Sequence, residues 1–298
     1  MPRSIPTTAI VLPIALLLVA MVSIQSGASL AKSLFPLIGP EGTTALRLGF
    51  GAIILAIIMR PWQARLSLGS CKALLAYGIA LGGMNLMFYM SLKTIPLGIA
   101  VSLEFTGPLA LALLSSRRLL DFVWVAMAVA GLWLLLPSNQ SEQALDPLGM
   151  AFALGAGLCW AAYIVFGQKA GAAHGKHTAC LGTLVAAALV IPIGMWQAGS
   201  ALYNVDLLPI ALAVAVLSSA LPYSLEMIAL TRLPARTFSI LMSLEPAVAA
   251  LTGLLFLSEQ LHFTQWLAIS FIILASAGAA ATIRPQAKPI DLQNQGNL

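Results

Sequence analysis

This sequence is poor in charged residues: only 8% of its 298 residues are Asp, Glu, Lys or Arg, whereas 60% are hydrophobic and the mean hydropathy is +0.95. A water-soluble domain of this length needs a charged surface, so the composition excludes one and indicates a membrane protein. The net charge of +5 would otherwise suggest a nucleic-acid partner. We expect no such partner, because the placement of the basic residues follows a membrane topology.

Cysteine and histidine are scarce as well, with three of each. Cys71, Cys159 and Cys180 show neither the spacing of metal ligands nor the pattern of a disulfide framework. The sequence also has no glycine-rich phosphate loop followed by Lys and Ser or Thr, so nothing in it indicates ATP-driven transport. We therefore predict a protein without a metal ion or a cofactor.

Long apolar runs are what the sequence has in abundance. Ten runs of about 17–24 residues, the fifth somewhat shorter, are each able to cross roughly 30 Å of hydrocarbon as a helix. They predict an all-α integral membrane protein, embedded in the lipid bilayer, with ten transmembrane helices. The first run also resembles a signal peptide, but its length and its counterpart in the second half favour a span. The predicted spans are 10–31, 43–59, 72–92, 97–115, 122–136, 148–168, 177–198, 207–230, 235–257 and 263–283.

The sequence also contains an internal repeat. The segment Ser91–Pro96 recurs as Ala229–Pro234, a shift of 138 residues, and the same shift carries Pro108 onto Pro246. Each half holds five predicted spans, and because five is odd, the second half enters the membrane from the opposite side. The predicted domains are therefore two inverted five-helix repeats and a disordered cytoplasmic tail: 1–140, 141–284 and 285–298.

Basic residues are distributed unequally between the two sets of loops. One set holds only Lys32 and Lys93, whereas the other holds twelve basic residues. This bias places the richer set, and with it both termini, in the cytoplasm. The twelve are Arg3, Arg60, Arg65, Lys72, Arg117, Arg118, Lys169, Lys176, Arg232, Arg236, Arg284 and Lys288.

Four charged residues fall inside predicted spans and away from the first and last two residues of those spans: Arg47, Glu104, Glu226 and Glu245. Inverted repeats with a site at their interface are typical of secondary transporters. A charge in hydrocarbon is costly unless it is paired, hydrated or neutralised, so all four are candidates for a path that carries a substrate and protons. Arg47 has a simpler alternative, because its long side chain can extend to the outer headgroups or pair with Glu41.

Two of the acids stand beside the prolines that the repeat pairs. Glu245 directly precedes Pro246 in the ninth span, and Glu104 lies one turn before Pro108 in the fourth. Because proline removes a helical hydrogen bond, we expect both spans to break there, with the two carboxyls facing a shared path between the halves. The shift of 138 aligns Glu104 with Met242, so the two acids are near-equivalent rather than strictly paired. In the alternative role for Glu245, its protonated carboxyl donates to a carbonyl that the proline frees.

The third acid, Glu226, follows Pro222 by four residues in the eighth span, where Tyr223 lies on roughly the same face. Its alternative role is an ion pair with Arg232 or Arg236 near the cytoplasmic end. Neutral polar residues in other spans are further candidates for lining the path, although each alone is a weak signal. They are Gln25, Asn85, Tyr89, Trp160 and Tyr163.

Together these features resemble the drug/metabolite transporter superfamily in its two-copy form. The resemblance is carried by the ten spans, the two repeats, and the segments Leu103–Pro108 and Ser243–Pro246. More narrowly, the segments Ser23–Pro36 and Leu221–Pro234 resemble bacterial exporters of threonine and homoserine.

The resemblance implies an inner-membrane exporter of threonine and homoserine that exchanges them for protons. The sequence leaves open whether the protein is a monomer or a homodimer. From the charges in the spans we expect the carboxyls of Glu104, Glu226 and Glu245 to bind the ammonium of such a substrate, and Arg47 or broken helix ends to bind its carboxylate. Alternatives are an exporter of other amino acids, their analogues or small metabolites, a channel, and an intramembrane enzyme. An enzyme needs a nucleophile beside a general base, whereas His174, His177 and His262 all lie in loops or at span ends.

Overall fold

The computed structural model describes residues 7–63, 68–114, 119–135, 145–174, 177–222, 225 and 241–282. Within these residues there are ten α-helices, and they follow the predicted spans in order. Their bounds are α1 Thr7–Lys32, α2 Phe35–Met59, α3 Leu68–Ser91, α4 Leu97–Leu114, α5 Leu119–Leu135, α6 Pro147–His174, α7 Thr178–Ala198, α8 Leu208–Ala215, α9 Glu245–Leu257 and α10 Phe263–Thr282.

Five of these helices, α1, α2, α3, α6 and α7, are long and apolar enough to cross a membrane by length and composition. In the described part of the chain, the other five are shorter apolar helices. Large apolar side chains cover the outside of the bundle: Ile57 is 67% exposed, Leu255 74% and Trp196 87%. Such a surface suits lipid rather than water, and the predicted all-helical membrane architecture is confirmed.

The second helix begins eight residues before the predicted span. It starts at Phe35, has Pro36 in its first turn, and contains a kink at Gly39. Gly39 has a φ of 69°, a left-handed conformation that glycine adopts without steric cost, and Pro40 follows it. The kink lets one apolar run supply both a short segment at the end of the bundle and the spanning helix.

The fourth span does not break at Pro108, contrary to the prediction. α4 runs without interruption from Leu97 to Leu114. Pro108 deprives the carbonyl of Glu104 of its helical donor, but this carbonyl packs on α6 instead. A Cβ atom added at Gly157 would lie 2.6 Å from the Glu104 carbonyl oxygen, so the two backbones are in direct contact. This support from α6 allows the helix to continue.

The predicted break in the ninth span is present. Residues 241–242 are helical, residues 243–244 form a turn, and α9 begins at Glu245. Pro246 thus occupies the first turn of a helix, where its missing N–H is not needed. The sequence Glu-Pro therefore sets the start of a helix inside the bundle, and it places an acid there.

The helices of the first half pack chiefly on helices of the second. α2 lies against α7, α5 against α10, and α4 against α9. α3 packs on α6 and α7, whereas α1 packs on α8, on the π-helical turn Val216–Ala220 that follows α8, and on α9. The buried apolar core between the halves includes Leu103, Ala156 and Ala249, which are all fully buried.

Glycines allow the closest of these contacts. Gly107 of α4 faces the backbone of Gly157 in α6, and a Cβ at Gly98 of α4 would lie 2.6 Å from the Cα of Ala250 in α9. Close approach of this kind gives helices dispersion contacts where no hydrophobic force drives them together.

Replacing Gly157 by alanine tests the α4–α6 contact. We expect Gly157→Ala to lower the melting temperature of the detergent-purified protein, because the new methyl group meets a carbonyl oxygen that cannot move alone, at a cost of about 1–3 kcal/mol. Gly171→Ala in the same helix is the matched control, because a Cβ there meets nothing within 4 Å. Equal melting temperatures for the two variants would contradict this account.

Candidate functional site

Glu245 stands at the start of α9 with its side chain buried, only 7% exposed. Gln25 of α1, 3% exposed, donates a hydrogen bond from Nε2 to Glu245 Oε1 over 3.0 Å. The remaining oxygens of the pair, Gln25 Oε1 and Glu245 Oε2, are buried and have no hydrogen-bond partner in the described part of the chain. Because an unsatisfied buried polar atom costs about 1–3 kcal/mol, two such acceptors on one contact require an explanation.

Glu104 of α4 is the second buried carboxyl, also 7% exposed. It interacts electrostatically with Glu245 of α9 and with Arg47 of α2. The structure therefore brings three of the four predicted intramembrane charges into one region, contributed by helices of both halves. The fourth, Glu226, lies outside the described residues, as does Tyr223.

The two acids lie at similar depth. Leu97 and Gly98 at the start of α4 meet Gly253 and Ala250 of α9, so the two helices are antiparallel. At 1.5 Å per residue, Glu104 lies about 9 Å along α4 from Gly98, and Glu245 about 7.5 Å along α9 from Ala250. Both carboxyls are therefore displaced in the same direction from one contact, although the repeat does not align them.

Arg47 is buried, with 4% of its surface exposed, so it does not extend to the headgroups as its alternative role required. Its Nη2 donates to the carbonyl of Ser218 over 2.9 Å, and its Nε donates to Ser219 Oγ over 3.4 Å. The guanidinium also lies over the ring of Tyr89, 5.1 Å from the ring centre. These contacts hold a permanent positive charge among α2, α3 and the π-helical turn.

Tyr89 is fully buried, and its hydroxyl has no hydrogen-bond partner among the residues that the structure describes. Its ring contacts Phe35 and Phe88, with centroids 5.8 Å and 6.0 Å away. One turn earlier on α3, the amide of Asn85 donates to the Leu81 carbonyl over 2.8 Å. Arg47 and Tyr89 together thus form a group of hydrogen-bond donors on α2 and α3.

The π-helical turn after α8 was not predicted from the sequence. It exposes the Ser218 carbonyl to Arg47. Ser218 also packs directly on Gly27 of α1, and Ser23 donates to the neighbouring Leu217 carbonyl over 2.8 Å. The available signal was Pro222, which lacks the N–H that would bond the Ser218 carbonyl in an α-helix and so leaves that carbonyl for another donor.

Two further candidates, Trp160 and Tyr163, are aromatic residues of α6. Trp160 meets Phe105 edge-on, with ring centroids 5.3 Å apart, on the side of α4 that faces α6. Tyr163 stacks on Tyr77 at 4.8 Å, in a separate cluster of α3 and α6. Both residues therefore pack α6 on its neighbours. Among the described residues, no group of three or more His, Cys, Asp or Glu side chains could hold a metal ion.

One end of the bundle is held by a charged network, here called the ion-pair end and formed by Lys32, Leu97 and Glu259. Lys32 Nζ lies 2.6 Å from Glu259 Oε1, and the Leu97 N–H donates to Glu259 Oε2 over 2.8 Å. A Cβ at Gly253 would lie 2.5 Å from the same carboxyl, so that glycine makes room for it. The network joins the end of α1, the start of α4 and the loop after α9.

A second carboxylate at this end anchors the turn before α4. Asp146 accepts hydrogen bonds from the backbone N–H groups of Leu148 and Gly149, over 3.2 Å and 3.0 Å. A hydrogen bond from the Thr94 side chain is the main cause that lowers the pKa of Asp146, and the two backbone N–H groups lower it further. Its ionised carboxylate caps α6 and ties that helix to the α3–α4 turn.

Replacing Glu259 tests how the ion-pair end is held. Glu259→Gln keeps an oxygen for the Leu97 N–H and removes only a part-exposed ion pair, which contributes about 0–1 kcal/mol. Glu259→Leu also leaves that N–H unpaired, so we expect a further loss of about 1–3 kcal/mol. Thermal unfolding in detergent should rank the wild type first, the Gln variant second and the Leu variant last. Equal stability of the two variants would show that the backbone hydrogen bond contributes nothing.

Comparisons with known proteins agree with this membrane architecture. The model of the EamA-like transporter family matches residues 147–280. The threonine/homoserine exporter RhtA of Salmonella typhimurium (strain SL1344) is 58% identical over 295 residues, which cover 98% of this chain and 100% of that protein. Its namesake from Escherichia coli (strain K12) is 58% identical over 288 residues, covering 97% of this chain and 98% of that one.

A solved structure, described only as the crystal structure of a protein, is similar to this one, and the superposition covers 89% of this chain and 96% of the other. The TM-score is 0.57 and the sequence identity 19%. At that identity the likeness extends to the fold alone.

Proposed function

Because the chain belongs to the EamA-like transporter family of drug/metabolite transporters, and is 58% identical over nearly its whole length to threonine/homoserine exporters, we propose that it exports threonine and homoserine across the bacterial inner membrane in exchange for protons. The structural observation that carries the proposal is the gathering of Glu104, Glu245 and Arg47, buried charges of both signs, from helices of both halves. Charged side chains are rare inside a membrane bundle, and those that occur there usually mark the path of a substrate or an ion.

The arrangement suits a zwitterion. Threonine and homoserine each carry an ammonium group and a carboxylate, so their site needs acceptors on one side and donors on the other. Glu245 and Glu104 offer acceptors from α9 and α4, whereas Arg47 and the hydroxyl of Tyr89 offer donors from α2 and α3. We assign the ammonium to the carboxyl side and the carboxylate to the side of Arg47 and Tyr89.

Proton exchange follows from the burial of Glu245. A carboxylate in this region is compensated either by a proton or by the cationic group of the substrate. Occupation by one therefore displaces the other, which couples the export of one substrate to the entry of a proton. Glu104 of α4, and Arg47 acting on Glu104, are charged groups that face the same region and modulate this exchange.

We further propose that the halves 1–140 and 141–284 are inverted repeats. Support comes from the helix neighbours, which exchange under the correspondence of α1–α5 with α6–α10. The contact of α3 with α6 corresponds to that of α8 with α1, and α4 with α6 corresponds to α9 with α1. The pairs α2–α7, α4–α9 and α5–α10 each correspond to themselves. A twofold relation in the membrane plane accounts for this pattern.

The excess of basic residues in one set of loops supports a cytoplasmic location for both termini. In that orientation the ion-pair end faces outward. Its network, together with the contact of Gly98 with Ala250, closes the space between α4 and α9 on the outer side. Export then requires this end to open in every cycle.

Transport in everted membrane vesicles tests the proposed function. An acid interior should drive accumulation of radiolabelled homoserine or threonine by the wild type, and collapse of the pH gradient should abolish it. Glu245→Gln should reduce gradient-driven uptake to background, because the amide cannot carry a proton. Asp206→Asn, at an exposed loop position, is the matched control and should transport as the wild type does.

Absence of gradient-dependent flux of both amino acids in the wild type would overturn the proposed function. Undiminished flux in Glu245→Gln would reduce Glu245 to a packing residue.

A further inference from the structure

The contact between α1 and α9 presents two unpaired acceptors side by side. Gln25 uses its Nε2 on Glu245, which leaves its own Oε1 and the Oε2 of Glu245 buried without partners within the described residues. Both side chains are buried, with 3% of Gln25 and 7% of Glu245 exposed, and the hydrogen bond between them joins α1 to α9. The two unpaired oxygens therefore lie on one contact inside the bundle.

The chemistry of the pair restricts what can occupy it. Two acceptors, one of them on an ionisable carboxyl, call for a ligand with at least two donors and a positive charge. A hydroxyl group offers a single donor and no charge, and water offers two donors and no charge. A primary ammonium group offers three N–H donors and a full charge, so it matches both requirements.

We propose that Gln25 and Glu245 together form the subsite for the ammonium group of the substrate, and that Gln25 is the residue that selects amino acids over their hydroxy-acid counterparts. The inference rests on the proposed transport function and extends it, because it assigns the recognition of the amine to a neutral residue of the first helix.

An amide suits this position better than other side chains. When Glu245 is ionised, Gln25 donates to it through Nε2 and keeps Oε1 for the ammonium. When Glu245 is protonated and the substrate has left, rotation of the amide lets Oε1 accept a hydrogen bond from the protonated carboxyl. Gln25 thereby satisfies Glu245 in both states of the exchange, which neither an apolar nor a permanently charged residue can do.

The repeat distinguishes the two acids in the same way. The register that carries Lys32 onto Lys169, a shift of 137, carries Gln25 onto Ala162 of α6. Glu104 therefore has no glutamine at the equivalent position of its neighbouring helix, and its electrostatic partners include Arg47 instead. The asymmetry assigns the ammonium to Glu245.

The experiment compares amines with their hydroxyl isosteres. Radiolabelled homoserine counterflow is measured in proteoliposomes, and inhibition by unlabelled homoserine is compared with inhibition by 2,4-dihydroxybutyrate, in which a hydroxyl replaces the ammonium. The readout is a ratio: the half-maximal inhibitory concentration of 2,4-dihydroxybutyrate divided by that of homoserine. We expect Gln25→Met, which has a similar shape and no acceptor amide, to lower this ratio about tenfold or more, since one hydrogen bond to a charged group is lost. Gln25→Glu keeps both acceptors, so it should preserve the ratio while changing its pH dependence.

The controls separate a recognition role from a structural one. Gln265→Leu removes another buried glutamine, whose Oε1 accepts the His262 N–H, and should leave the ratio unchanged. If Gln25 only positions Glu245, Gln25→Met will weaken both inhibitors equally, and an unchanged ratio overturns the inference. If Gln25→Met does not fold, loss of the ratio in a folded Gln25→Glu variant overturns it as well. No homoserine counterflow by the wild type would instead contradict the proposed function itself.

Discussion

The hydrogen bond between Gln25 and Glu245 is the contact on which the rest of the central region depends. A carboxyl buried in an apolar bundle is tolerated only with compensation, and the structure supplies part of it from a helix of the other half. One carboxyl oxygen is satisfied by the amide, and the second has no hydrogen-bond partner among the described residues, as the proposed binding of a ligand or a proton requires. A fully satisfied carboxyl would be inert, whereas a wholly unsatisfied one would destabilise the fold.

Backbone contacts through glycines set the position of α4 beside this pair. Gly98, Gly107 and Gly157 let α4 lie directly on α9 and α6, so the depth of Glu104 relative to Glu245 is set by helix geometry. The break before Pro246 places Glu245 in the first turn of α9, where the helix dipole favours a negative charge. Arg47, held by Ser218 and Tyr89, acts electrostatically on Glu104.

Local signals in the sequence were enough to predict the order of the helices and the break at Glu245-Pro246, because apolar runs and X-Pro steps act within one or two turns. Structural features that depend on contacts between residues distant in the sequence could not be predicted. α4 passes through Pro108 because Gly157 supports the freed carbonyl, and nothing near Pro108 indicates that partner. Arg47 is buried because the Ser218 carbonyl, 171 residues away, accepts its hydrogen bond. The polar residue Gln25 was recognisable, but its partner 220 residues along the chain was not.

In the proposed transport cycle, a proton and the ammonium group of the substrate compete for Glu245. Proton release on substrate binding tests it most directly, with purified protein in weakly buffered detergent solution and a pH indicator. Addition of threonine should release protons from the wild type and from Asp206→Asn, and none from Glu245→Gln. Equal release by Glu245→Gln and the wild type, or threonine binding to the wild type without any release, would contradict the account.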